Sequence, residues 1–92
     1  MDQFVIQKTV DDSSYKKYSF HHSQGFGYII LKKNESIWNL ESINVYPTGR
    51  QLGSIFLTEV LSLENLSAQN MTVYPTSKDN KRFFNRHGFI IF

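Results

Sequence analysis

The chain contains no cysteine. That absence removes disulfides, thiolate metal ligands and a thiol nucleophile at once, and it fits a reducing compartment. Long apolar runs are also missing. None is longer than that at 28–31, far short of the roughly 20 residues a membrane-spanning helix needs. Residues 1–5 carry no basic segment leading into an apolar one, so no signal peptide is expected. A soluble, cytoplasmic protein with no membrane partner is the expectation. Net charge is only +2, and no recognised nucleic-acid motif is present. Both facts weigh against a nucleic-acid partner. His21 and His22 are adjacent and His87 stands alone, without a second ligand at metal spacing, so no metal is assigned. Asn-x-Ser/Thr triplets begin at Asn34, Asn65 and Asn70, and chance accounts for them in a chain rich in Asn and Ser.

Aromatic residues are plentiful, at 15% with eight Phe. Residues 1–92 suffice for one domain that buries about 60–65% of its unfolded surface. Strand-type runs occupy 3–10, 15–22, 25–33 and 37–46, with turn chemistry at 11–14, 23–25 and 34–36. Short connections imply antiparallel hairpins. On the fourth run, simple alternation puts Ile37, Asn39, Glu41, Ile43 and Val45 on one face and Trp38, Leu40, Ser42, Asn44 and Tyr46 on the other. The character then changes. Leu52, Ile55, Phe56, Val60 and Leu63 recur at helical spacing over 49–63. A polar link over 64–70 leads to a short strand at 71–74. A second helix, capped by Thr76 or Ser77, runs to about His87, and Gly88 suits its left-handed end. Residues 89–92 form a last strand.

The only two prolines, Pro47 and Pro75, sit in two copies of Val-Tyr-Pro-Thr, at 45–48 and 73–76. Each copy ends a strand and opens a helix. The expected fold is therefore α/β with a mixed α+β sheet: antiparallel N-terminal strands followed by a β-α-β-α-β half. Strands four and five are parallel, with a right-handed crossover. Strand ends and helix starts then gather at one edge, where ligands usually bind.

After the first copy come Arg50, Gln51, Leu52, Gly53, Ser54 and Ile55. A helix start offers unpaired N–H groups and partial positive charge, and Gly53 lets an anion approach the backbone closely. A well-packed strand–helix turn accounts for the same residues. Neither the P-loop nor the dinucleotide glycine pattern is present.

The run from Ile43 to Gly53, with Arg50-x-x-Gly53, resembles the strand-to-helix segment of the GCN5-related N-acetyltransferases (the GNAT superfamily). Asn80 to Phe89, with Phe83, Gly88 and Phe89 in place, resembles that family's C-terminal motif. The resemblance covers about residues 25–92 and describes a compact member, without the family's two helices between the first strands. It implies a sheet whose fourth and fifth strands splay apart, with acetyl-coenzyme A as co-substrate between them. Ile43, Asn44 and Val45 would line the cofactor strand. Gln51, Leu52, Gly53, Ser54 and Ile55 would bind the pyrophosphate through backbone amides, Arg50 of the same motif would belong to the cofactor site, and Asn80, Phe83 and Phe84 would flank the cofactor. The implied activity is direct transfer of an acetyl group to a primary amine on a protein or small molecule.

Two departures stand out. Ile55 replaces a usual Gly or Ala, and Phe84 replaces the Tyr that protonates the leaving thiolate in many members. Tyr74 is the candidate substitute acid, with Tyr46 and Tyr28 behind it, and Glu41 is the candidate base. Each has a plain reading as well: a solvated strand carboxylate for Glu41, a satisfied buried hydroxyl for the tyrosines. Lys78, Lys81, Arg82 and Arg86 either border the coenzyme groove or form a solvated helix face. The second functional reading is a module that holds an acyl-coenzyme A or a protein without turnover. A chain lacking the family's extra helices can cover its exposed sheet by forming a homodimer.

Overall fold

The computed structural model describes residues 5–47, 51–73 and 78–91. Strands β1 (Val5–Asp11), β2 (Tyr15–His22), β3 (Gly25–Asn34), β4 (Ile37–Tyr46), β5 (Thr72–Val73) and β6 (Ile90–Ile91) lie side by side in chain order in one sheet. The first four pair antiparallel, and β4–β5 and β5–β6 pair parallel. Helix α1 (Leu52–Leu63) lies between β4 and β5, and α2 (Lys78–Arg86) between β5 and β6. The chain is thus α+β, with a six-stranded mixed sheet and two helices. β2 and β4 have the expected limits. The polar link contains a 3-10 turn at Ala68–Asn70 that the sequence pattern did not suggest.

Period-two alternation sets the two faces of the sheet. Tyr18 and Phe20 on β2 and Ile29 and Leu31 on β3 are buried on the helix side, against Phe56, Leu57 and Val60 of α1. α2 joins the same layer through Phe84, whose ring meets Phe89 edge-on at 5.7 Å. Among the described residues no helix lies on the opposite face.

Simple alternation fails on β4. The β3–β4 ladder pairs Ile30 with Ser42 but Leu31 with Leu40, leaving Glu41 as an extra residue in a β-bulge. The bulge changes the phase of the strand. Trp38 and Leu40 therefore share the helix side with Ile43 and Val45, instead of lying opposite them. The buried stripe of α1 is also rotated from the expected one, taking in Leu57 and leaving out Ile55. Leu52, Phe56, Leu57 and Val60 are buried, while Ile55 and Leu63 are exposed.

Both helices end in the same hydrogen-bonded turn. In α2, the Phe89 N–H donates to the Phe84 carbonyl and the Gly88 N–H to the Asn85 carbonyl, both at 3.1 Å, and Gly88 has φ 85°. In α1, Leu66 donates to Leu61 at 2.8 Å and Asn65 to Ser62 at 3.1 Å, with Asn65 at φ 56°. These are Schellman endings, in which a left-handed residue satisfies the last carbonyls. A Cβ on Gly88 would meet nothing closer than Gln69 Cγ at 3.9 Å, so the cost of adding one is conformational, not steric. Gly88→Ala is expected to lower unfolding stability by about 1 kcal/mol. Urea denaturation would show this as a lower midpoint with an unchanged slope.

The residue that closes α1, Glu64, faces an unfavourable helix dipole. Two lysines from the sheet offset it. Lys8 Nζ lies 2.8 Å from Glu64 Oε2 and Lys16 Nζ 3.0 Å from Oε1. Tyr18 donates its hydroxyl to Oε2. Asp11 completes the cluster, 3.2 Å from Lys16 and 3.5 Å from Lys8. The Glu64 side chain is 10% exposed. Burial pushes its carboxyl up, but hydrogen bonds from Lys8, Tyr18 and Lys16 outweigh that and hold it down at about 2. Because the folded value lies below the ordinary 4.5, the network stabilises the fold fully above pH 4.5 and is lost as pH falls toward 2. Solvent around the lysines screens the cluster, so the expected loss is on the order of 1–2 kcal/mol. Urea titrations at pH 7 and pH 3 measure it, and Glu64→Gln is expected to be less stable at pH 7 and to flatten the difference.

Candidate functional site

A cleft of about 370 Å³ opens where the C-terminal half of β4, the start of α1 and α2 come together. Ile43 and Val45 form one wall, because the bulge turns both toward the helices. Pro47, after a cis Tyr46–Pro47 bond, leads from that wall to the helix start. Gln51, Leu52, Gly53 and Ser54 form the end, and Asn80, Phe83 and Arg86 of α2 form the second wall. The spacing of Asn80, Phe83 and Arg86 puts them on one helical stripe.

Gly25 on β3 seats the start of α1 on the sheet. A Cβ there would lie 2.6 Å from Leu52 Cδ1 and 2.5 Å from the Tyr46 carbonyl oxygen. The helix start itself is unusual. Gln51, its N-cap, is left-handed with φ 60°, and no side chain caps the end. A left-handed residue followed by helical ones turns successive N–H groups toward one concave point, a nest that attracts anions. The Ile55 N–H is already committed to the Gln51 carbonyl at 3.2 Å. The N–H groups of Leu52, Gly53 and Ser54 precede the first intrahelical bond and so have no acceptor within the helix. No acidic residue occupies the first turn. Arg86 adds a full positive charge, with its guanidinium 5.9 Å from the centre of the Phe83 ring.

The Ser54 hydroxyl and His87 Nε2 are 3.0 Å apart, which ties the start of α1 to the end of α2. Burial, and then the Arg86 charge, push the His87 imidazole below its ordinary value. Its folded form is therefore neutral near pH 7, one nitrogen donating and one accepting. The unfolded state therefore binds more protons, and this group costs stability as pH falls below about 6.5. Proton NMR of the imidazole should give a midpoint below 6.5, and Arg86→Ala should move it back up by removing the neighbouring charge.

Of the residues singled out from the sequence, Ile43, Val45, Gln51, Leu52, Gly53, Ser54, Asn80 and Phe83 line this cleft. Others lie elsewhere. Asn44 points to the opposite face, because strand alternation separates it from Ile43 and Val45, and its side-chain amide donates to the Tyr28 hydroxyl at 2.9 Å. Ile55 faces solvent, one helical step away from the cleft, so its bulk does not narrow the opening. Phe84 is in the core, and Glu41 is exposed at the bulge. Arg50 and Tyr74 lie outside the described residues. Two contributors were not singled out: Pro47, and His87 through its bond to Ser54. Of the two alternatives for the basic run, Arg86 takes the groove side, since it lines the cleft. Among the described residues no group of His, Asp and Glu is placed to hold a metal, and no helix is long and apolar enough to cross a membrane.

No protein-family model, curated protein or solved structure matches the chain.

Proposed function

We propose that the cleft binds the pyrophosphate of acetyl-coenzyme A, and that the protein is a compact GCN5-related N-acetyltransferase acting on a primary amine. One observation carries this reading. A left-handed Gln51 opens α1, the N–H groups of Leu52, Gly53 and Ser54 have no acceptor within the helix, and these residues line the end of a cleft that Arg86 also lines. The cleft volume of about 370 Å³ falls within the range of small-molecule sites. The parallel β4–β5 pair fits the reading as well. Its ladder joins Asn39 to Thr72 and Leu40 to Val73, and β4 runs on past it through residues 41–46 to the cleft.

In the proposed reaction the neutral amine attacks the thioester carbonyl. A C–N bond forms, the C–S bond breaks, and the sulfur leaves as thiolate, which takes up through solvent the proton that the acylated nitrogen gives up. A backbone N–H on the far half of β4 would stabilise the developing oxyanion. The amine must first lose a proton, since a free lysine has a pKa near 10.4. Exposed Glu41 and solvent are the available routes.

A specific observation favours a second reading, an acyl-coenzyme A binder without turnover. Phe84 stands where the leaving-group acid is expected, and it is 7% exposed, packed against Phe89. Loss of a general acid costs roughly 10²–10⁴-fold in rate, so the two readings differ in turnover more than in binding.

Calorimetry with acetyl-coenzyme A is the test. Binding in the micromolar to low millimolar range is expected. Gly53→Glu places a carboxylate at the anion site and should abolish it. Gly53→Ala is the folding control, since its Cβ would meet Val45 Cγ2 at 3.6 Å, an ordinary contact. No heat with the wild type at millimolar ligand would sink both readings. Heat of binding without thiol release across a panel of amines would leave only the second.

A further inference from the structure

The sheet face that the helices leave bare has a composition of its own. Register aligns its side chains in rows across β2, β3 and β4. One row is His21, Phe26 and Tyr46, and the next is Ser19, Tyr28 and Asn44. The rings of His21 and Phe26 stack with centroids 6.4 Å apart, and those of Phe26 and Tyr46 lie 5.8 Å apart. Phe26 is 53% exposed and Tyr46 67%. Lys17 sits with its ammonium 5.0 Å from the centre of the Tyr28 ring, and Lys32 lies on the same face, further along β3. Lys17, Phe26, Tyr28 and Tyr46 border a shallow groove of about 530 Å³.

The charge on this face is one-sided. β2, β3 and β4 together contain one acidic residue, Glu41, which is taken up in the bulge. Lys8 and Lys16 face the helices, where Glu64 and Asp11 neutralise them. Among the described residues Lys17 and Lys32 have no carboxylate partner. The small net charge of the whole chain therefore hides a segregated one. Exposed aromatic faces interleaved with unpaired cations suit unpaired bases on a phosphodiester backbone: rings stack on bases, and lysines meet phosphates. A duplex keeps its base faces stacked inside and cannot use the rings. A second copy of this face is a poor occupant, because a two-fold contact would set Lys17 and Lys32 against the same like-charged surface.

We propose that this open face binds single-stranded nucleic acid, with bases on Phe26 and Tyr46 and phosphates on Lys17 and Lys32. The site is separate from the cleft, so the proposal holds whether or not acetyl-coenzyme A binds there.

Fluorescence anisotropy with end-labelled single-stranded RNA and DNA of mixed sequence tests it, with a duplex of the same length as comparison. Single strands should bind more tightly than the duplex, and affinity should fall steeply with salt. Phe26→Ala and Tyr46→Ala, both at exposed positions, should each weaken binding about 5- to 100-fold. Lys17→Ala and Lys32→Ala should each reduce the salt slope by about 0.7. Arg86→Ala, in the cleft, should leave binding unchanged. The proposal is overturned if no strand binds in low salt, or if the Phe26 and Tyr46 variants bind as the wild type does. It is equally overturned if those variants change only the sedimentation of the protein, which would assign the face to a second copy.

Discussion

The structure depends on α1 lying across one face of the sheet. Phe56, Leu57 and Val60 reach zero exposure only because β2, β3 and β4 present Phe20, Ile29, Leu31 and Leu40 to them. The Phe20 and Phe56 rings sit 4.4 Å apart at the centre of that contact. Burial on this scale is the main favourable term available to so short a chain. It also fixes what the ends of the helix can do. The start of α1 is held over the end of β4, where the cleft forms, and its end is held over β1 and β2, where Glu64 meets the lysines. One hydrophobic contact thus places an anion-attracting end and an ion-paired end at opposite limits of the same element.

Much of this order was legible in the sequence, for physical reasons that can be named. β2 and β4 were bounded by turn residues on both sides, so their limits followed from punctuation and not from propensity. Gly88 marked the end of α2 because few other residues suit a left-handed ending. Most of the cleft was legible because strand ends and helix starts converge in a β-α-β arrangement. Three features were not. A bulge adds one residue without any required residue type, so nothing in β4 announced that Glu41 interrupts the ladder. Leu57 and Ile55 lie on either side of Phe56, and only the position of the sheet decides which is buried. The cluster around Glu64 joins residues from β1, β2 and α1, and its members are ordinary surface types until the fold brings them together.

The two faces of the sheet also differ in how they treat charge. On the helix side, lysines are drawn into a shared carboxylate, and the ammonium of Lys16 additionally lies 5.7 Å from the Trp38 ring. On the bare side, cations sit among rings and amides. Alternation alone sorts neighbours such as Lys16 and Lys17 into these two environments. Total charge is therefore a poor guide to this molecule, and a charge counted face by face is a better one.

The bulge at Glu41 has a consequence for how the chain can vary. It separates β4 into two lengths whose phases are set independently. The first length answers to the core under α1, through Trp38 and Leu40. The second answers to the cleft, through Ile43 and Val45. A strand with an unbroken ladder must satisfy both demands with one phase, so a change of register suited to one end disrupts the other. Here a residue gained or lost at the bulge acts as an adjustable joint. A residue gained or lost there would turn Ile43 and Val45, which also pack against the rim of the core, away from the helices, while Trp38 and Leu40 keep their phase.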